Sequence, residues 1–243
     1  MNKSLYETYH GKSGKHRRVI DRYDYTYRNL IGVLSKYLSR NSKVLDIGSG
    51  VGTLDMFVSS RVNSVDSIEI SKKATDLIKS NKALLNIKNI KVINSSFERF
   101  STHKKYQLIF MFEVLEHLRS DTAALRKVFD LADKSSYFIM SVPSIKAPLY
   151  KLGLLKKFDI EVGHLRRYEK TEIINKLKEI GFKVVKVYEF EGLVRNSLFT
   201  NKYLGLILKL TKFRVINEAL TLVDALTGYM FGFSQIVCVC KKR

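Results

Sequence analysis

The sequence has 243 residues, of which 45% are hydrophobic and 27% charged, with a formal net charge of +20. This length and apolar content suit one large α/β domain with an insertion better than two full domains. No run of about 20 apolar residues is present, which argues against a helix that spans a bilayer. The polar, basic first 43 residues lack the pattern of a secretory signal, so we expect a cytoplasmic protein.

The excess of basic residues is the one bulk feature that bears on partners. A charge of +20 favours nucleic acid or an acidic membrane surface, without choosing between them. Basic residues that only solvate the surface give the same composition, so the partner stays open. The two cysteines, Cys238 and Cys240, are two apart on a predicted strand, which is poor spacing for a disulfide, and we expect buried free thiols.

Residues 1–43 are predicted to form a basic cap followed by the first helix. The cap interleaves basic and aromatic side chains, a mixture that suits phosphates and stacked rings; they are His10, Lys12, Lys15, His16, Arg17, Arg18, Arg22 and Arg28 with Tyr6, Tyr9, Tyr23, Tyr25 and Tyr27. Apolar residues at helical spacing predict the helix over about residues 25–39.

The stretch 44–54, VLDIGSGVGTL, is the strongest local signal in the chain. An apolar run that holds Asp46 leads into Gly48, Gly50 and Gly52 and then into an apolar helical start. This order predicts a buried strand, a tight turn and a helix, because glycines allow the φ values of such a turn and let a ligand contact bare backbone. The next predicted strand, 65–70, carries Glu69, whose carboxylate could accept hydrogen bonds from both hydroxyls of a ribose.

Strands and helices alternate after this turn. Further strands are predicted over 90–93, 106–112, 137–142 and 182–190, and helices over 72–86, around 125–131 and over 172–180 after a Thr171 cap. The alternation indicates a doubly wound α/β fold with a mostly parallel sheet and ligands at the carboxyl ends of its strands. The glycine turn, Glu69, Ser96, Glu113 and Pro143 all fall at such ends and should form one rim.

The pattern of Asp46, three glycines and Glu69 resembles that of the class I S-adenosylmethionine-dependent methyltransferases. The resemblance implies a Rossmann-like, seven-stranded sheet whose last strand, 234–240, is antiparallel. It also implies that Asp46 and the glycine turn hold the methionine half of S-adenosylmethionine and that Glu69 holds the ribose. In this family an N-terminal segment like residues 1–28 usually closes over cofactor and substrate.

Ser96 and Phe97 follow the third predicted strand, where the resemblance places the adenine. Many relatives have Asp at the position of Ser96, and its carboxylate accepts the adenine amino group. A hydroxyl accepts a hydrogen bond more weakly, so this position departs from the family pattern. Phe97 offers a backbone N–H and a ring beside the base.

The segment EVLEH, residues 113–117, carries the second group of candidate site residues. In a helix, Glu113, Glu116 and His117 share one face, and His164, in the loop 144–168, should return to the same rim. The set resembles the magnesium site of small-RNA 2'-O-methyltransferases and a segment of the O-methyltransferases of ubiquinone biosynthesis, which implies four metal ligands. Two imidazoles suit zinc, manganese or iron better than magnesium.

The same residues have an interpretation without a metal. Glu113 then faces the cofactor pocket, while Glu116 and His117 form hydrogen bonds within the fold. His164 is the better candidate for a base or a substrate ligand, so Glu113 and His164 are the predicted catalytic residues.

Residues 191–233 separate the predicted core, 44–190, from the last strand, 234–243. They are rich in Leu, Ile, Phe and Tyr and are punctuated by basic residues, which predicts two or three helices. A basic amphipathic helix can lie in a membrane interface. A lid over the active site or a homodimer surface is the alternative.

We therefore predict a methyltransferase that uses S-adenosylmethionine and methylates an oxygen of a small, glycosylated or prenylated metabolite near a membrane. An RNA methyltransferase of the 2'-O type, supported by the charge and the four potential metal ligands, is the first alternative. The second is a non-catalytic homologue that kept the cofactor fold, which the Ser96 departure permits.

Overall fold

The computed structural model describes Ser4, Glu7, residues 20–201 and residues 203–242. Most of the predicted basic cap, including its two histidines, lies outside the described residues. Helices and strands follow one another along the described chain in this order: α1 (Arg28–Leu34), β1 (Lys43–Ile47), α2 (Thr53–Ser59), β2 (Ser64–Glu69), α3 (Lys72–Leu84), β3 (Ile90–Asn94), β4 (Tyr106–Phe112), a 3-10 turn (Leu115–His117), α4 (Asp121–Leu131), β5 (Ala132–Pro143), α5 (Pro148–Lys151), α6 (Lys156–Val162), α7 (Lys170–Ile180), β6 (Phe182–Phe190), α8 (Leu193–Thr200), a 3-10 helix (Leu204–Lys212), α9 (Arg214–Phe231) and β7 (Gln235–Lys242).

The strands form one seven-stranded sheet in the order β3-β2-β1-β4-β5-β7-β6. Strands β1 to β5 pair in parallel, whereas β7 runs antiparallel to both β5 and β6. The predicted doubly wound fold with an antiparallel last strand is confirmed. Cys238 and Cys240 are buried free thiols on β7, as predicted.

Three local predictions were wrong. The first helix covers Arg28–Leu34 and not residues 25–39. Helix α7 begins at Lys170, and its N-cap is Glu169, which exchanges hydrogen bonds with Glu172 in a capping box, so Thr171 is not the cap. The segment EVLEH is no α-helix, because Glu113 has φ 51° and only Leu115–His117 form a short 3-10 turn.

The core lies on both faces of the sheet because alternate residues of each strand point to opposite sides. On β4, Ile109 and Met111 pack with α4 and α7, whereas Leu108 and Phe110 pack with α1, α2 and α3. The continuous apolar strands thus reflect burial on both faces. The layers place the carboxyl ends of β1, β2, β4 and β5 at one edge, where the site lies.

The insertion consists of α8, the 3-10 helix and α9, in agreement with the predicted two or three helices. It packs against the segment that precedes α1. The buried guanidinium of Arg195 lies 3.9 Å from the ring centroid of Tyr25 and donates to the Tyr25 carbonyl, and Arg28 pairs with Glu218 at 3.1 Å. Within the described ranges no helix is long and apolar enough to cross a bilayer.

Candidate functional site

The glycine turn between β1 and α2 is open backbone. Gly48, Gly50 and Gly52 have φ values of 77°, 55° and 75°, which L side chains rarely adopt. A Cβ on Gly48 would lie 2.3 Å from Cγ2 of Val114, so this position excludes every side chain. The predicted requirement for glycine is therefore met at the turn, and Gly48 and Gly50 line a cavity.

Glu69, at the end of β2, turns its side chain toward this turn. Its Oε2 accepts from the Gly50 N–H at 3.0 Å and its Oε1 accepts from the Ser71 N–H at 2.7 Å. Burial raises the pKa of the Glu69 carboxyl, and these two hydrogen bonds oppose the rise. The carboxylate lines the same cavity as the glycines, and with three backbone donors, from Ser71, Gly50 and Ile70, it has capacity for a further donor.

Glu7, from the N-terminal segment, lies beside this carboxylate. It accepts from the Lys72 N–H at 2.7 Å and from the Ser71 hydroxyl at 3.1 Å, at the start of α3, where an anion is favoured. Glu7 thus lies at the rim next to Glu69. That the N-terminal segment covers the site stays a prediction, because most of this segment lies outside the described residues.

Asp46 lies beneath the turn. It does not line the cavity, whereas Gly48 and Gly50 do. Burial, followed by the neighbouring carboxylate of Asp55, raises the pKa of Asp46 well above its ordinary value. A protonated Asp46 donates to Asp55, which also accepts from the Ser67 hydroxyl at 2.6 Å. Asp46 therefore supports the turn from below.

Ser96 and Phe97 line a neighbouring depression together with Asn94 and Lys127, and they do not line the cavity at the glycine turn. The Ser96 hydroxyl accepts from the Arg99 N–H at 3.4 Å. The Phe97 ring is buried in the core, and its carbonyl accepts from Lys127 Nζ at 2.7 Å. Phe97 is therefore placed to contribute core packing as well as one wall of this depression.

The cavity has a volume of about 350 Å³ and carries several carboxylates despite the positive charge of the chain. Glu113 accepts from the Ser141 hydroxyl at 2.6 Å and from the Gln235 amide at 3.1 Å. Glu191 accepts from the Ser234 hydroxyl at 3.1 Å. Both glutamates have positive φ, 51° and 65°, which turns them inward where β4 and β6 end.

Burial sets the protonation of these two carboxyls. It raises the pKa of Glu113, and hydrogen bonds from Ser141 and Gln235 oppose the rise. Burial, together with the charge of Glu113, raises the pKa of Glu191 to about 7. Glu191 is thus part neutral at physiological pH. Sequence analysis missed it because its place depends on the β6–β7 pairing, although an acid at a predicted strand end was a usable signal.

Glu116, His117 and His164 converge at the other side of the cavity. Nε2 of His117 lies 3.7 Å and Nε2 of His164 lies 3.8 Å from Oε1 of Glu116. Glu116 is fully buried, and neither of its carboxylate oxygens has a hydrogen-bond partner among the described residues. Glu113, which was predicted as a fourth ligand, is not in this group, because its left-handed φ directs it to Ser141 and Gln235.

Hydrogen bonds fix which ring nitrogen of each histidine faces Glu116. Nδ1 of His117 donates to the Gly163 carbonyl at 3.0 Å, and Nδ1 of His164 donates to Asp159 at 2.9 Å. In the neutral imidazole the proton therefore sits on Nδ1 and the acceptor lone pair on Nε2. Burial lowers the pKa of His117, and burial followed by the charge of His117 lowers that of His164 to about 4.

Helix α6 and the strand-like segment after it position His164. Arg167 holds Asp159 through two hydrogen bonds of 2.9 and 2.5 Å, and Asp159 in turn orients the His164 ring. The Leu165 N–H donates to the carbonyl of Glu116 at 3.0 Å. These contacts bring the long loop back to the rim, the position expected for His164. Asp159 and Arg167 were missed, because the sequence does not indicate which charged loop residues pair.

Comparisons with known proteins identify the family of this chain. The family model described as a methyltransferase domain matches residues 17–187. The chain is 24% identical over 120 residues to (S)-coclaurine N-methyltransferase of Papaver somniferum, a match that covers 46% of this chain and 34% of that enzyme. The chain thus spans about a third of the length of that relative.

Solved structures show the same fold. A coclaurine N-methyltransferase bound to N-methylheliamine and S-adenosylhomocysteine superposes with a TM-score of 0.65 at 16% identity, over 93% of this chain and 74% of that one. The N-methyltransferase NodS of Bradyrhizobium japonicum, with S-adenosylhomocysteine, gives 0.58 at 13% identity, over 90% and 85%. Because the family model covers more than half of the sequence, this chain belongs to the class I S-adenosylmethionine-dependent methyltransferases.

Proposed function

We propose that this methyltransferase transfers the methyl group to an oxygen of a small, glycosylated or prenylated metabolite, in the cavity between the glycine turn and His164. We further propose that Glu116, His117 and His164 hold a divalent metal ion beside that acceptor. The proposal depends on one observation: ring nitrogens of His117 and His164 and a carboxyl oxygen of Glu116 lie within 4.8 Å of one another, and the buried Glu116 carboxyl accepts no hydrogen bond from the described residues. Cytoplasmic location stays a prediction.

The residues at the glycine turn fit S-adenosylmethionine. When bound, this cofactor supplies a methyl group activated by a sulfonium. Gly48 and Gly50 leave backbone exposed at the cavity wall, where an amino-acid tail can approach closely. The Glu69 carboxylate in the cavity wall is placed to accept from a ribose hydroxyl, and Ser96 lines the adjoining depression. A bound S-adenosylmethionine would extend from the cavity, past Glu69, into the depression lined by Ser96.

The Glu116 group fits a cation better than it fits a hydrogen-bond network. The 3.7 and 3.8 Å separations are too long for hydrogen bonds. They approach the roughly 3.4 Å that separates two ligands placed 2.1 Å from a tetrahedral ion. The hydrogen bonds from both Nδ1 atoms to Gly163 and Asp159 are the outer contacts that typically orient metal-binding histidines. Two imidazoles and a carboxylate favour zinc, manganese or iron.

The same group explains why a hydroxyl is the better acceptor. An alcohol becomes a good nucleophile only when it loses its proton. His164, whose pKa is lowered to about 4, is neutral, so its Nε2 lone pair can hold the ion and is then not the base. A divalent ion would supply Lewis acidity that makes a bound hydroxyl more acidic, and Glu113, the other predicted catalytic residue in the cavity lining, would take its proton. Methyl transfer itself then needs alignment, which the rigid rim provides.

Metal analysis tests this proposal. Purified protein should carry or take up zinc or manganese with a stoichiometry near one, and Glu116→Gln should weaken binding by at least about 100-fold, because the ligand charge is lost while the shape is kept. His103→Ala, at an exposed histidine away from the cavity, is the matched control. Equal metal binding by the wild type and Glu116→Gln would contradict the proposed site.

An amine acceptor is the second candidate, and the carboxylates of the cavity favour it. Glu113, Glu161 and Glu191 face the space beside the cofactor site and would attract a cationic amine. The solved relative with bound N-methylheliamine is an N-methyltransferase. The assay is methyl incorporation from labelled S-adenosylmethionine into matched hydroxyl and amine acceptors, with and without chelator. Amine methylation that is indifferent to chelation would replace the oxygen proposal.

An RNA acceptor is disfavoured by the same carboxylates. They would repel a phosphodiester backbone at the point of reaction, and Arg167, the one arginine or lysine among the lining residues that the structure describes, is held by Asp159. We therefore do not retain RNA as the acceptor.

A further inference from the structure

Helix α9 buries its polar face and exposes its apolar face. Its buried residues are polar or small, namely Asn217, Asp224 and Gly228. Its opposite face is apolar and exposed: Val215 is 82% exposed, Leu222 63%, Val223 47%, Leu226 55%, Tyr229 82% and Met230 73%. At 3.6 residues per turn these side chains form one stripe along 18 residues, about 27 Å of helix. A soluble helix normally has the reverse arrangement.

The orientation of α9 is fixed by its polar face. The Asn217 amide donates to the carbonyls of Tyr23 and Thr211, at 2.7 and 3.0 Å. The Asp224 carboxylate accepts from the N–H groups of Gly192 and Arg195, at 3.1 and 2.7 Å. Rotating the helix to bury its apolar stripe would break all four hydrogen bonds. The exposed stripe is therefore a stable property of the fold.

Exposed apolar residues also occur on the α5–α6 segment, which contacts the end of α9 and contributes to the cavity wall. Lys151, at the end of α5, donates to the Phe231 carbonyl at the end of α9 at 3.0 Å. The residues that follow it include Leu152, Leu154 and Ile160, which are 69%, 64% and 79% exposed. Ile160 belongs to α6, and the same helix lines the cavity through Phe158. The α5–α6 segment therefore connects the end of α9 to one wall of the cavity.

Basic side chains accompany this surface. Lys209, Lys212 and Arg214 are exposed just before the stripe, and Lys156 and Lys157 are exposed on α6. The acidic residues nearby are engaged: Glu218 pairs with Arg28 at 3.1 Å and Glu161 with Lys157 at 3.9 Å. Apolar side chains bordered by lysines match the interface of an anionic bilayer, where rings and leucines enter the acyl boundary and cations meet lipid phosphates.

We infer that α9 and the α5–α6 segment, here called the docking face, hold this protein on an anionic bilayer, with the cavity open to the membrane surface. A second copy of this chain fits the docking face less well than a bilayer does. It would bring an equally basic face and a further charge of +20 into contact with the first copy, and the two would repel. The acceptor is then a lipid-borne molecule that enters at α6. That last step rests on the proposed methyl transfer in the cavity, whereas the docking does not.

Fluorescence tests the docking directly, because the chain contains no tryptophan. In Tyr229→Trp the sole indole lies on the stripe, whereas in Leu84→Trp it lies on α3, at a residue that is 58% exposed. With vesicles of phosphatidylcholine plus phosphatidylglycerol, emission from the Tyr229→Trp protein should shift to the blue and be quenched by brominated acyl chains. Emission from the Leu84→Trp protein should stay unchanged. An unchanged spectrum for Tyr229→Trp would overturn the inference.

Flotation measures the strength of docking. Leu222→Ser and Leu226→Ser should each weaken binding to these vesicles by about tenfold, since each removes apolar surface from the acyl boundary, and Leu84→Ser should have no effect. Equal flotation of all variants would overturn the inference. A second result would also overturn it: light scattering shows a wild-type dimer that Leu222→Ser dissociates, and neither the wild type nor the variant binds vesicles. Methyl transfer to a soluble acceptor without vesicles should survive both stripe substitutions, which separates this test from that of the proposed function.

Discussion

Gly48→Ala should destabilise the protein strongly, because two effects add at this position. The residue has φ 77°, which costs an alanine roughly 1–2 kcal/mol. The new Cβ would also lie 2.3 Å from Cγ2 of Val114, and overpacking of this kind typically costs about 1–3 kcal/mol. We therefore expect the free energy of unfolding to fall by about 2–5 kcal/mol, with S-adenosylmethionine binding weakened because the turn must move.

Urea unfolding followed by circular dichroism measures this change, and two variants separate its causes. Gly32→Ala is the matched control, because Gly32 is an exposed helical glycine with no atom within 4 Å of an added Cβ; it should stabilise the protein by roughly 0.5–1 kcal/mol. In the Val114→Ala background the steric part should disappear, so Gly48→Ala should then cost only the roughly 1–2 kcal/mol of φ strain. Gly48→Ala with wild-type stability, or with an unchanged cost in the Val114→Ala background, would refute the reasoning.

Three further predictions concern buried charge. The pKa of Glu191 is raised from 4.5 to about 7, so the folded state binds this proton more tightly than the unfolded state does. The resulting stabilisation is full below pH 4.5 and is lost as pH rises through 7. Because the side chain is partly exposed, the free energy of unfolding of Glu191→Gln should rise relative to the wild type by at most about 3 kcal/mol between pH 4 and pH 8, and parallel pH curves in urea titrations would contradict this. Burial, followed by the charge of Glu113, raises the pKa of Glu116 well above its ordinary value, so ionising this carboxyl, which accepts no hydrogen bond from the described residues, costs stability at high pH. Glu116→Gln should therefore make metal-free protein more stable by about 1–3 kcal/mol at high pH, while it removes any thermal stabilisation by zinc or manganese. A metal-free variant that is less stable at high pH would count against the site. Arg195→Met should lower the free energy of unfolding by about 3–5 kcal/mol, because it leaves the buried Asp224 without its ion-pair partner at 3.4 Å. A change below about 1 kcal/mol in urea unfolding would show that this ion pair does not hold the insertion in place.

The sequence predicts the glycine turn and the position of Glu69 at a strand end because their signals are local. The run from Asp46 to Gly52 specifies strand, turn and helix within a few residues, and Glu69 follows from the end of the next strand. Asp46 shows the limit of this reasoning: its place in the motif is evident, but its contact with Asp55 under the turn depends on how α2 packs. A pattern of residue types locates a turn more reliably than it locates the direction of one side chain.

The acceptor half depends on contacts between distant segments, and there prediction was incomplete. Glu113 was expected to share a helical face with Glu116 and His117, but a single left-handed residue at φ 51° sends it toward Ser141 and Gln235. Spacing rules assume a regular helix, so one unusual φ redirects the side chain. His164 reaches the group only because α6 and its Asp159 form, and no periodicity in the loop indicates that pairing.

Helix α9 shows why hydrophobic patterning alone does not determine what a surface contacts. A periodic apolar stripe indicates that a helix has two different faces, but the pattern is the same whichever face points inward. The decision here comes from Asn217 and Asp224, whose hydrogen bonds to Tyr23 and Arg195 require the polar face inside. The net charge is misleading in the same way, since a chain of +20 encloses a cavity lined by glutamates. Because the basic residues border the apolar stripe while the carboxylates lie inside, the two signs can serve separate tasks, attraction to an anionic surface and stabilisation of a cation at the site of methyl transfer.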